Sequence, residues 1–195
     1  VKSAVAKRAK IIAISTGGEL GSLSRQYKFM LIPIEYGAEG RGAIGIIIAL
    51  LIGLLNKIDI VDISNQVQSE TILSLQQGRE RLKPDINLQH NLAKQVVDSI
   101  GNKQLIVISY GTLMPVADRI RLNINQNLRK PVIVGEIPDF SHNGLSGLEN
   151  IQNPDNYFVI LLGSLKDHPR LQVHMNTCRN IIKSTGIPSL TLEIP

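Results

Sequence analysis

Two short apolar runs, each closing on a glycine turn, constrain this chain more than any other feature. Ile11–Ile14 (IIAI) leads into Ser15-Thr16-Gly17-Gly18, and Leu105–Ser109 (LIVIS) leads into Tyr110-Gly111-Thr112. Neither run alternates apolar with polar. A continuous β-branched run is the pattern of a strand covered on both faces, as in a parallel sheet. Parallel neighbours need a crossover, usually a helix. The strand, turn, helix order, met twice, therefore predicts an α/β fold in two units.

The remaining segments fit that frame. Further strands are expected at Phe29–Ile34, Val132–Gly135, Tyr157–Leu162 and Leu190–Ile194. Helices are expected over Glu19–Tyr27, from Arg41 onward, from an N-cap at Ser64 to about Arg81, over Asn87–Ile100, over 113–128, and over Pro169–Ser184 with its proline in the first turn. Pro84 separates two of these helices. The organisation read from this is a first unit over 1–63, connecting helices over 64–101 and a second unit over 102–195.

Composition removes several classes. A chain 43% hydrophobic with a net charge of +5 is not disordered. One cysteine, Cys178, excludes a disulfide scaffold and a zinc site built from several thiolates. His168 and His174 have too little support from carboxylates or thiols to form a metal site, and no metal is expected. The pI of about 9.4 raises a nucleotide- or nucleic-acid-binding reading. The cations are scattered, though, with small clusters at Lys7, Arg8, Lys10 and at Arg79, Arg81, Lys83, and aromatics are only 4% with no Trp. Single-strand binders want more stacking surface. This reading ranks last.

Gly42–Leu55 (GAIGIIIALLIGLL) carries no charge. A bilayer span takes about twenty apolar residues, and a run of 10–14 is more often a buried helix. The opening VKSAVAKRAK is followed by a strand-like run and not by a signal-peptide core and cleavage site. The expectation is a soluble, cytoplasmic protein with a buried apolar helix.

Local chemistry offers three candidates. The turns Thr16-Gly17-Gly18 and Gly111-Thr112 stand where a strand passes into a helix, a generic anion site. A tight structural turn explains them equally well. No Gly-Lys-Ser/Thr follows, so neither is a P-loop. His142 follows Glu136-Ile137-Pro138-Asp139 in what reads as a polar loop, where an imidazole can move protons. Asn123, Asn125, Gln126 and Asn127 lie among Arg119, Arg121 and Arg129. That is either a solvated helix end or a set of amides suited to sugar hydroxyls.

Taken in order, five segments resemble the bifunctional phosphoglucose/phosphomannose isomerases, built from two sugar isomerase (SIS) domains. Ser15-Thr16-Gly17-Gly18-Glu19-Leu20 is similar to the family's TSGG-x-L. Gly40-Arg41-Gly42-Ala43-Ile44 is similar to its Pro-Arg-Ala-Ala-Leu, and Asn91-Leu92-Ala93-Lys94 to its Asn-x-Ala-Lys. Arg119 with Asn125-Gln126-Asn127-Leu128-Arg129 matches Arg-x5-Asn-Glu-Asn-x-Lys. Glu136-Ile137-Pro138-Asp139 and His142-Asn143-Gly144 match Glu-Leu-Pro-Glu and His-Asn-Glu.

The resemblance implies SIS-type parallel sheets flanked by helices. It also implies interconversion of glucose 6-phosphate or mannose 6-phosphate with fructose 6-phosphate, a step of glycolysis and gluconeogenesis, without metal or organic cofactor. The implied partners are a phosphorylated hexose and a second subunit in a homodimer. By the same resemblance Arg41 steadies the intermediate, His142 opens the sugar ring and Gln126 stands at the position of the family's base, with Thr16, Gly17 and Gly18 near the substrate. Two departures matter. An amide at 126 does not accept a proton near neutral pH, and Gly144 replaces a glutamate. An impaired isomerase is one expectation, and a non-catalytic SIS module that binds or senses a phosphosugar is the alternative. The family's phosphate loop before the first strand and its C-terminal helix have no counterpart in this sequence.

Overall fold

The computed structural model describes residues 1–35, 37 and 42–194. It divides into two compact units, Val1–Ser74 and from Leu75 onward. Each is described by itself.

In the second unit the strands are β3 (Gln104–Ser109), β4 (Val132–Glu136), β5 (Tyr157–Ser164) and β6 (Ser189–Ile194). They form one parallel sheet in the order β4-β3-β5-β6. Side chains alternate across a strand, and both faces here are apolar. Ile106, Ile108, Val159 and Leu161 point to one side, where they meet Leu145, Leu148, Met175, Cys178 and Ile182. Leu105, Val107, Phe158, Ile160 and Leu162 point to the other, against Ala117, Ile120, Ile124, Val96 and Ile100. Each such fully buried aliphatic contributes about 1.5–3 kcal/mol. This layering is why the two central strands read as unbroken apolar runs.

The helices supply those layers. α5 (Leu92–Ile100) and α6 (Met114–Leu128) bring residues to the second face. α8 (Gly144–Glu149) and α9 (Pro169–Ser184) bring them to the first. α9 opens on Pro169 in its first turn with the His168 ring nitrogen accepting the Arg170 N–H at 3.2 Å. Arg179 on α9 reaches edge strand β6, donating to Thr191 Oγ1 at 3.1 Å and pairing with Glu193 at 3.0 Å.

The first unit holds α1 (Lys2–Ala6), β1 (Ile12–Ser15), α2 (Gly18–Tyr27), β2 (Met30–Pro33) and α3 (Ile44–Lys57), and α4 (Asn65–Arg81) runs across the division. β1 and β2 pair in parallel, from Ile12 opposite Met30 to Ser15 opposite Pro33. Only Gly21, Ser24 and Ala43 are buried among its described residues. Ser24 is tied down by donating to the Phe29 carbonyl at 2.8 Å. Two parallel strands alone are marginal in water.

Two expectations need revision. The apolar run does form a helix, α3, but none of its residues is buried. Hydrophobicity predicts that a helix wants cover, not that this chain supplies it. The single helix expected over Asn87–Ile100 is instead a short 3-10 turn, Leu88–His90, followed by α5. Buried Asn91 makes the break, its side chain accepting the Lys94 N–H at 3.2 Å as N-cap and donating to the Lys83 carbonyl at 3.0 Å. No helix among the described residues is long and apolar enough to cross a membrane.

Candidate functional site

Ligands of open parallel sheets bind outside the carboxyl ends of the strands, where the chain switches sides. In the second unit the path goes from β3 outward to β4, then back across to β5. The switch lies between β3 and β5. The β3 exit is built tightly. Ser109 is fully buried and donates to the Leu162 carbonyl at 3.2 Å, while its own carbonyl accepts the Ile137 N–H at 2.9 Å. Tyr110 is buried, and that burial pushes its phenol pKa up against the lowering effect of a hydrogen bond to the Ser164 backbone. Gly111 follows at φ 53°, left-handed backbone that favours glycine. Beside it sits Asp167, one of whose carboxylate oxygens is buried without a hydrogen-bond partner. A small cavity of about 130 Å³ opens at this edge, its lining mixing Tyr110, Leu165 and Met175 with Gln172, Arg179 and Glu193.

His142 belongs to the same edge. It ends the short helix α7 (Asp139–His142), six residues after β4, and is exposed. The stretch expected to be a polar loop is therefore helical. Asn143 donates to Asp139 at 2.9 Å, and Ser146 donates to the His142 carbonyl at 3.3 Å. Gly144 opens α8, and a Cβ there would fall well under 3.0 Å from the ring of Phe140. The same ring blocks a Cβ at Gly135. Phe140 thus fills the space a side chain at 144 would take, which gives Gly144 a packing reason.

Gln126 lies elsewhere. α6 starts at the carboxyl ends of the strands and returns to their amino ends, so Gln126, twelve residues along it, stands about 18 Å down the helix. It is exposed, one turn before the left-handed cap at Arg129. Its neighbour Asn125 has a buried carbonyl oxygen without a partner, and Arg121 pairs with Asp118 at 2.9 Å. An open concavity of about 600 Å³ marks this amino-end edge, lined by Asn102, Lys103, Gln104, Lys130, Pro131, Asp155 and Asn156. Within the second unit, then, Gln126 and His142 occupy opposite edges of one sheet and are not brought together.

The first-unit candidates sit on a real turn. Gly17 (φ 126°) is the N-cap of α2 and Gly18 follows at φ 59°. The Ser15 hydroxyl accepts the Gly17 N–H at 3.1 Å and donates to the Gly17 carbonyl at 3.0 Å. A Cβ at either glycine would meet open space, so backbone conformation and not crowding asks for glycine here. Thr16 is exposed, and Glu19 places a negative charge in the first turn, where it competes with an incoming anion for the helix dipole. Arg41 lies outside the described residues. Among the described residues no group of three or more His, Cys, Asp or Glu is placed to hold a metal ion.

Sequence reasoning missed the tight β3 exit around Asp167. The signal available was Asp167 after a long apolar strand, which is weak. It also treated Asn91 only as a motif residue, whereas its contacts are those of a helix cap.

Comparison with known proteins now bears on the site. Residues 89–195 match the family model described as the bacterial phospho-glucose isomerase C-terminal SIS domain. The bifunctional phosphoglucose/phosphomannose isomerase of Caldicellulosiruptor bescii is 31% identical over 93% of this chain and 54% of its own length. The enzyme of the same name from Aquifex aeolicus is 20% identical over 98% of this chain and 56% of its own length. The chain thus spans about half the length of these relatives. A crystal structure of a hypothetical protein from Thermus thermophilus shares the fold, with a TM-score of 0.63 and 10% identity over 95% of this chain and 52% of that one. The family model covers more than half of the sequence, and on that ground the chain belongs to the bacterial phosphoglucose isomerase family, whose C-terminal SIS domain it contains.

Proposed function

We propose that this protein acts on a phosphorylated hexose as an aldose–ketose isomerase, interconverting glucose 6-phosphate or mannose 6-phosphate with fructose 6-phosphate, and that Gln126 impairs it. The observation that carries the reading is the 31% identity to an isomerase of that name across 93% of the chain. The same reading makes it a cytoplasmic homodimer that needs no metal or organic cofactor.

The chemistry sets its own requirements. An acid near the ring oxygen opens the sugar, a base carries a proton between C1 and C2, and a cation steadies the enediolate. His142, exposed at the carboxyl edge, is assigned the ring opening. Arg41 is assigned the enediolate, and the Thr16-Gly17-Gly18 turn the neighbourhood of the substrate. Gln126 stands at the position of the base. Its amide can hydrogen-bond a hydroxyl but cannot take the proton. Gln126 and His142 lie on opposite sheet edges, so one sugar can meet both only if they come from two chains.

The test is Gln126→Glu, assayed by coupled turnover of fructose 6-phosphate. General base catalysis is worth about 10²–10⁴-fold, so a gain of that order is expected in kcat. No gain would reject position 126 as the base. A second reading, a non-catalytic SIS module that binds a phosphosugar, is favoured by Gln126 together with the packed Gly144. It predicts calorimetric binding of glucose 6-phosphate without turnover in both the wild type and Gln126→Glu.

A further inference from the structure

The isomerase reading leaves one cluster of cations, Lys7, Arg8 and Lys10, without a role. The fold of the first unit enlarges that cluster. α1 and α2 both end at the amino edge of the β1–β2 pair, where Ile12 stands opposite Met30. α1 closes on Arg8, whose N–H donates to the Val5 carbonyl at 2.9 Å, while the Ala9 N–H donates to the Ala4 carbonyl at 3.0 Å. α2 closes on Lys28. Both residues hold left-handed backbone, at φ 54° and φ 55°. Glycine is the usual residue for that helix-ending conformation, yet each of these ends carries a cation.

Arg8, Lys10 and Lys28 line one concavity of about 340 Å³. That is within the size range of small-molecule sites. No carboxylate lines it, and among the described residues none of the three cations is in an ion pair. The rest of the lining is apolar or aromatic and includes Tyr27, Phe29 and Met30, the last 60% exposed. The chain has only three Phe and four Tyr, and one of each lies here. Helix dipoles favour a cation near each helix end, and Arg129 ends α6 in the same way at φ 53°. The dipoles do not account for Lys10, which lies in neither helix, nor for the rings beside the cations.

We propose that this concavity is a nucleoside polyphosphate site, with the polyphosphate among Arg8, Lys10 and Lys28 and the base against Tyr27 and Phe29. Charged donors hold phosphate oxygens strongly, and three of them suit a chain of phosphates better than a single one. An aromatic face stacks any base, so the site selects for a nucleotide more than for a particular base. It lies at the opposite strand edge from the Thr16-Gly17-Gly18 turn and shares no residue with the isomerase reading. Either can fail alone.

The test is calorimetry on the full chain at about 50 mM salt without divalent cations, where exposed charges are less screened than at physiological strength. ATP should bind at least about fivefold tighter than inorganic tripolyphosphate, the gain from one stacked base. Adenosine alone should not bind measurably. Arg8→Gly/Lys28→Gly should weaken ATP binding at least about tenfold. The fold is kept in that variant, because glycine suits the left-handed backbone at both positions. Lys10→Glu, outside both helices, should weaken ATP binding as much without altering either helix end. No binding of ATP, tripolyphosphate binding as tight as ATP, or wild-type affinity in either variant overturns the proposal.

Discussion

Phe140 and Gly144 offer the sharpest test of the packing around His142. A methyl at 144 would sit inside the ring of Phe140, and the same ring already lies over Gly135, so it cannot swing that way. Phe140 is partly buried and packs against the core cluster of Ile106, Ile108 and Leu161. Gly144→Ala should therefore cost about 1–3 kcal/mol, the usual range for overpacking. Phe140→Ala should cost about 2 kcal/mol, below the 3–5 of a fully buried Phe. The informative quantity is the combination. With the ring gone, Gly144→Ala only replaces glycine by alanine at the first position of α8, which is neutral or stabilising by up to about 1 kcal/mol. The sign of the alanine effect should thus reverse between backgrounds, a coupling of roughly 2–3 kcal/mol. Urea unfolding followed by circular dichroism, with constant m-values, measures all four variants. Additivity within about 0.5 kcal/mol would refute the argument. Gly144→Glu should fail for the same reason unless Phe140 is shortened with it.

Other outcomes follow from the same contacts. Asn91→Ala should lose about 2 kcal/mol, since it removes both the α5 cap and the bond to the Lys83 carbonyl; Asn91→Ser, which keeps the cap, should lose less in the same unfolding assay. Burial raises the Tyr110 pKa above its ordinary value near 10, so the unfolded chain ionises first as pH rises. Stability should be level below pH 10 and fall above it, and the slope should flatten in Tyr110→Phe.

Much of the fold is legible because a two-sided strand has an unmistakable composition. β3 and β5 read directly as unbroken apolar runs, and α9 as a proline-opened helix that ends at Ser184. Short elements are not legible. α7 and α8 are four and six residues long, too short for a helical period to declare itself, so Asp139–Glu149 reads as loop. The Asn87–Ile100 helix reads as continuous because an asparagine inside a periodic stretch does not announce that its side chain will cap. For the candidate site, motif order supplies residue identities and nothing about position. Gln126 and His142 are sixteen residues apart in sequence, yet a helix and a strand of opposite direction lie between them. That path carries them to opposite sheet edges.

The position of β3 has a consequence for synthesis. It is the inner strand whose two neighbours, β4 and β5, both come later in the chain. As the ribosome extends the polypeptide, LIVIS emerges with neither mate made. Completing β5 takes another fifty-five residues, about 3–11 s at ordinary elongation rates. For that interval this aliphatic strand lacks at least one of its two neighbours, and a chaperone that grips short apolar strands would find a target there.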